Sequence, residues 1–261
     1  MGSFAGHVIP GSFFLLGGVW QTWCSLFRYH KNPTSFRARV WNVVPGFNGK
    51  LKFLQLYLVV IGSFIDLCIE LLYATHLNFF VHGELNPSYL NNFEHSGMLM
   101  MFFIFGLVAL LSEKTRWLPV PHGVLNILLG AAFCAEFLLF NFHSTTHKGL
   151  EGYYLLILLL LIAMCMVSCV SGAFFPASFA SDLTNAIAIT MQGLWFYQTA
   201  LTLYGPMMPA GCSLKGDEIV CGNASSRIRG EYLANLQLFG ILFGVFVFVV
   251  ISQAYISSQC K

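Results

Sequence analysis

Residues 121–147 read Pro121-HGVLNILLGAAFCAEFLLFNFHSTT-His147, and this stretch decides the fold class. A helix that crosses a bilayer needs roughly 20 mainly apolar residues, and the run near 121–143 meets that requirement. Pro119 and Pro121 make a stiff entry, tolerated because the first helical N–H groups have no intrahelical partner. The far end is different: Glu136, Asn141, His143 and His147 interrupt the apolar run. At 3.6 residues per turn, positions 136, 143 and 147 fall close to one line, so a carboxylate and two imidazoles face the same way. Ionisable groups at membrane depth are costly, and their default reading is a functional site.

The rest of the chain agrees with a membrane protein. It is 57% hydrophobic and 9% charged, with 26 Phe and a mean hydropathy of +0.71; a soluble domain carries about 25% charged residues. The net charge of +2 leaves no basic footprint for nucleic acid, and no such partner is expected. Seven segments qualify as spans, near 8–27, 53–74, 95–112, 121–143, 153–174, 184–205 and 232–256. No linker, repeat or low-complexity tract divides them. The expected fold is therefore all-α, one seven-transmembrane-helix bundle over residues 1–261.

Charge sets the expected direction. The loop from Arg28 to Lys52 holds Arg28, Lys31, Arg37, Arg39, Lys50 and Lys52 and no acid, which makes it cytoplasmic by the positive-inside rule. The N-terminus is then outside or lumenal, and Lys261 is cytoplasmic. No positive stretch precedes the first span, so it reads as an uncleaved helix, and neither end carries a lipidation box. Cys212 and Cys221 share a late polar loop with the sequon Asn223-Ala224-Ser225. A disulfide and a glycosylated Asn223 both suit the oxidising side, where this orientation puts them. Arg227 and Arg229 fall on the outer side, against the rule. The remaining cysteines, Cys24, Cys68, Cys134, Cys165, Cys169 and Cys260, read as small core hydrophobes.

With that orientation, six of the eight histidines lie at or beyond the outer face, together with Asp66, Glu70, Glu94 and Glu136. His30 and His122 belong to the inner side. The functional reading is an outward-facing pocket. His95, His143 and His147 form a candidate ligand set for zinc, which takes His and carboxylate donors and keeps a position for water in catalytic sites. Glu136 or Asp66 is then a further ligand, a partner to a ligand, or the base that activates the water. The alternative is that these groups only hydrogen-bond between helices. Asp66 and Glu70, spaced i and i+4, lie on one face, where two ionised acids repel; with His7 they mark a proton or cation pathway, or again helix contacts. In Gln192-Gly193-Leu194-Trp195-Phe196-Tyr197-Gln198, Gln192, Trp195 and Gln198 either line a lipid or substrate pocket or pack helices.

Four motifs in order resemble the transmembrane protein 45 family, specifically its plant branch, a domain of unknown function. They are Gly6-His7-x-x-Pro10-Gly11, Glu94-His95, Glu136 with Asn141-x-His143-x-x-x-His147, and Gln192-Gly193-x-Trp195-Phe196-x-Gln198. The resemblance covers nearly the whole chain. It implies a multi-pass seven-helix protein of the plasma membrane or an endomembrane, with links to stress or antiviral responses, and no established reaction. The function classes that follow are a metal-dependent lipid hydrolase, a proton- or cation-coupled transporter, and a non-catalytic membrane factor. Haem held by paired histidines is a further alternative. The expected partners are membrane lipids and a small-molecule or lipid ligand; the residues do not fix an oligomeric state.

Overall fold

The structure is a computed structural model that describes residues 3–44, 49–146, 149–216 and 218–259. Cys260 and Lys261, read above as a core residue and a cytoplasmic end, lie outside the described residues. Among the described residues there are seven long helices: α1 (Phe4–Lys31), α2 (Leu54–Cys68), α3 (Leu90–Lys114), α4 (His122–Thr146), α5 (Leu150–Phe174), α6 (Phe179–Leu203) and α7 (Ala224–Gln259). Each matches one expected span to within a few residues at most ends; α6 stops at Leu203, short of the expected 205, and α2 stops at Cys68, short of the expected 74. That helix continues from Ile69 to Tyr73 as a π-helical turn, closed by Ala74 N–H donating to the Ile69 carbonyl at 2.8 Å.

Local chemistry fixes the helix starts. Ser3 Oγ accepts from Gly6 N–H at 3.1 Å, and Ser178 Oγ accepts from Ser181 N–H at 3.2 Å. Asn223 Oδ1 accepts from Ser226 N–H at 2.8 Å, which caps α7. Each cap satisfies a donor the first turn leaves free. Two short antiparallel hairpins add to the helices: β1 (Phe80–Val81) with β2 (Glu84–Leu85), and β3 (Cys212–Lys215) with β4 (Glu218–Cys221). Cys212 and Cys221 stand opposite one another and form a disulfide.

Five helical segments, Leu51–Tyr73, Pro87–Lys114, His122–Thr145, Leu150–Phe174 and Ala224–Gln259, are long and apolar enough to cross a membrane. Large apolar side chains such as Leu16, Phe64, Phe174, Phe239, Phe243 and Phe246 are exposed. A soluble surface rarely carries so much contiguous apolar area, and the chain is a multi-pass membrane protein. α1 and α6 have the length but more polar residues. For α6 the reason is packing: it lies among α1, α5 and α7, and a helix shielded by protein needs no lipid-compatible face.

Glycines bring α1 and α6 together. A Cβ on Gly18 would stand 2.4 Å from Thr190 N, and one on Gly193 would stand 2.4 Å from Leu15 N. Close backbone approach at small residues is how helices associate in lipid, where the hydrophobic effect contributes little. α2 packs chiefly on α3, α3 on α4, and α4 on α5. α1 and α2 make little contact, one point of it being Gly62 against the Phe13 ring. The bundle is therefore closed around α6 and loose between α1 and α2.

The segment after α1 departs from the polar loop expected there. Phe36, Ala38, Val40, Trp41 and Asn42 are buried, while Arg37 is exposed. Ala38 N–H donates to the Pro176 carbonyl at 2.7 Å. This extended strap, alternating inward and outward, forms a floor across one end of the bundle. The β3–β4 hairpin lies at the other end, called here the hairpin end.

Candidate functional site

A cavity of about 390 Å³ lies between α1, α2, α3, α4 and α6. Its wall is mostly apolar and aromatic: Phe14 stacks on Phe196 at 5.8 Å and on Phe133 at 6.2 Å, and Phe102 meets Phe133 edge-on. Phe13, Leu16 and Leu58 line the cavity and are exposed. The cavity therefore opens sideways, where α1 and α2 make little contact.

Glu136 is the group that stands out in this wall. It sits on α4, is 1% exposed and lines the cavity. Gln192 Nε2 donates to Glu136 Oε1 at 2.6 Å, and Gln192 Oε1 accepts from Cys165 Sγ at 3.3 Å. One polar tie thus joins α4, α5 and α6. Glu136 Oε2 is buried and has no partner among the described residues. Leaving such an atom unpaired costs about 1–3 kcal/mol, so it is either strain or a place for a ligand atom. Its position in a cavity wall gives a ligand atom room to reach it.

Asp66 lines the same cavity from α2 and is half-buried. No hydrogen bond reaches its carboxylate among the described residues. Glu70 goes elsewhere: its Oε2 accepts from Asn92 Nδ2 of α3 at 2.6 Å. No Lys, Arg or His is among the described residues that line the cavity.

His95 and His143 come together, with ring centroids 5.1 Å apart, but neither lines the cavity. His95 Nδ1 donates to the Asn91 carbonyl at 2.7 Å and His143 Nδ1 to the Leu139 carbonyl at 2.8 Å. His143 Nε2 meets the Asn91 side chain, while His95 Nε2 is buried without a described partner. His147 lies outside the described residues. Among the described residues, no three His, Cys, Asp or Glu are grouped as a metal requires.

The other expected site residues hold the bundle together. His7 Nδ1 donates to the Ser3 carbonyl at 2.9 Å, and its ring stacks on Tyr204 at 5.0 Å. Tyr204 in turn donates to Glu151 Oε1 at 2.7 Å. Trp195 is fully buried between α5 and α6, stacked on Tyr154, with Nε1 donating to the Tyr154 carbonyl at 3.0 Å. Gln198 Nε2 donates to Thr202 Oγ1 at 3.0 Å, and Gln237 of α7 donates to the same oxygen at 3.1 Å.

One cluster escapes the sequence reading. Arg28 pairs with Asp182 at 2.5 Å and also donates to Asn42 Oδ1. Asp182 Oδ1 accepts from Arg39 N–H at 2.9 Å. Asn42 donates through Nδ2 to Gln21 Oε1 at 2.5 Å and through its backbone N–H to Gln55 Oε1 at 2.7 Å. Gln21, Gln55, Val40 and Val44 line the cavity, so this network pins the strap that closes the cavity floor. The alternation Phe36-Arg37-Ala38-Arg39-Val40 was the signal for a buried extended strap, and Asp182 in the first turn of α6 was the acid with which a cationic loop could pair.

A family model described as "Family of unknown function (DUF716)" matches residues 122–254. The match runs from the first residue of α4 into α7 and takes in Glu136, Cys165 and Gln192.

Proposed function

We propose that this chain, which belongs to the DUF716 family of unknown function, is a seven-span membrane protein that holds one lipid-like molecule in the cavity, with Glu136 as its polar anchor. The observation that carries this reading is Glu136 Oε2, buried without a partner among the described residues in the wall of a cavity that opens sideways. The molecule's chain is already sheltered in the bilayer, so moving it into the cavity gains little from the hydrophobic effect. Affinity then rests on filling the space and on satisfying Glu136, since a hydrogen bond to a charged group contributes about 1.5–3 kcal/mol. Entry is from the bilayer, between α1 and α2, past Phe13, Leu16 and Leu58. Binding is the activity proposed; no hydrolytic or transport step is part of it.

The orientation is part of the same reading. The acid-free loop from Arg28 to Lys52 supports a cytoplasmic floor. The Cys212–Cys221 disulfide supports a lumenal or extracellular hairpin end. Seven crossings, which the likeness to the transmembrane protein 45 family also implies, then put the N-terminus outside. The anchor then sits in the outer half of the bilayer.

A fluorescent alkyl probe tests the binding. Purified protein in neutral detergent micelles binds it saturably at one site, and Glu136→Gln weakens binding while helical content is kept. Partitioning that never saturates and is equal in both proteins contradicts the reading.

A further inference from the structure

The cavity has acid on two walls and no base. Glu136 faces it from α4 and Asp66 from α2, and no Lys, Arg or His is among the described residues that line it. The two acids also lie at one depth. Phe14 and Phe133 stack, and Glu136 is nearly one turn beyond Phe133 toward the hairpin end. Gly62 abuts the ring of Phe13, and Asp66 is one turn beyond Gly62 in the same direction. Each acid is therefore about 5 Å beyond the same level. Toward the floor the wall is apolar and aromatic, apart from Ser63, whose hydroxyl donates to the Val59 carbonyl of its own helix, down to Gln21 and Gln55, which the strap's network occupies.

We infer that the molecule taken by this cavity is a long-chain amine, its ammonium paired with Glu136 in a cavity that Asp66 also faces from α2, and its single alkyl chain lying along Phe14, Phe133 and Phe196. This rests on the binding reading above and narrows it to one class. An ammonium carries three donors and no acceptor, which matches Glu136 Oε2, buried without a partner among the described residues, and the half-buried carboxylate of Asp66, which no hydrogen bond among the described residues reaches. A buried acid is tolerated when it is paired, and the chain supplies no cation at this place among its described lining residues. A fatty acid brings a third carboxylate to the same end, and like charges repel there. An alcohol offers one donor for two acids. The size agrees as well: about 390 Å³ lies near the small end of ligand pockets, which favours one chain over the two of a bilayer phospholipid.

Displacement of the fluorescent alkyl probe by hexadecylamine, hexadecanol and hexadecanoic acid tests the inference in neutral detergent. The amine displaces the probe at concentrations roughly tenfold or more below those of the alcohol, because a charge-assisted bond is about twice as strong as a neutral one, and the acid is weakest. Glu136→Gln removes the preference for the amine, and Asp66→Asn, at a half-buried position, reduces it. An alcohol or acid that displaces the probe as well as the amine overturns the inference and leaves the cavity reading standing. A folded protein that binds no probe saturably overturns both. An amine preference that survives unchanged in both variants also overturns the inference, since the recognising acids then lie elsewhere.

Discussion

Gln192 holds one oxygen of Glu136 at 2.6 Å and leaves the other facing a cavity with no partner among the described residues. The pairing is lopsided in a way that separates stability from binding. Glu136→Gln keeps an oxygen for Gln192 and removes a buried acid, so thermal stability of the empty protein in detergent stays level or rises. Gln192→Leu leaves the Glu136 carboxyl without its donor and lowers stability by about 1–3 kcal/mol. Thermal unfolding followed by circular dichroism distinguishes the two; equal losses contradict this account of the tie.

The α1–α6 contact depends on two glycines that a methyl group would block. Gly18→Ala and Gly193→Ala each put a carbon about 2.4 Å from backbone nitrogen, and overpacking costs about 1–3 kcal/mol. Gly17→Ala is the control, since nothing lies within 4 Å of its added carbon. Melting temperatures fall for the first two and hold for the third.

Asp182 anchors the floor. Its side chain is 3% exposed against 19% for Arg28, and removing one partner of a buried pair costs about 3–5 kcal/mol. Asp182→Ala therefore loosens the strap, and trypsin cuts faster at Arg37 or Arg39. Asp182→Asn keeps an oxygen for Arg39 N–H and gives a smaller change. Cleavage rates equal to those of the unaltered protein contradict the sealing role.

Asn223 tests the orientation. It is exposed, and its Oδ1 caps α7 through Ser226 N–H, while a glycan attaches at the amide nitrogen. Expression in a glycosylating host gives a band that falls in mass on enzymatic deglycosylation, and Asn223→Gln removes that shift. A protein never modified there argues against a lumenal hairpin end.

The helices were legible because lipid demands long apolar runs, and no other demand on a chain leaves so plain a trace. Glu136 was legible for the same reason: an acid in such a run has no cheap explanation. Its orphan oxygen was not, because that depends on which side chain of α6 reaches it, and Gln192 and Gln198 look alike in the sequence. The strap was hidden by its charges. Arg37 and Arg39 mark a loop, and only the alternation of Phe36, Ala38 and Val40 between them signals burial. Trp195 read either as a pocket residue or as helix packing, and its indole N–H donates to the Tyr154 carbonyl of α5. His95 and His143 were expected to meet, and their rings do, but both Nδ1 atoms are tied to carbonyls one turn back on their own helices.

The most direct measurement is photolabelling of the protein in nanodiscs with a long-chain alkyl diazirine, mapped by peptide mass spectrometry. The account predicts labels within residues 10–21, 54–66 and 129–140, facing the cavity, and their loss with Glu136→Gln or excess competing ligand. Labels confined to the outer faces of the bundle, as on Phe239, Phe243 and Phe246 of α7, and unchanged by Glu136→Gln, would contradict it.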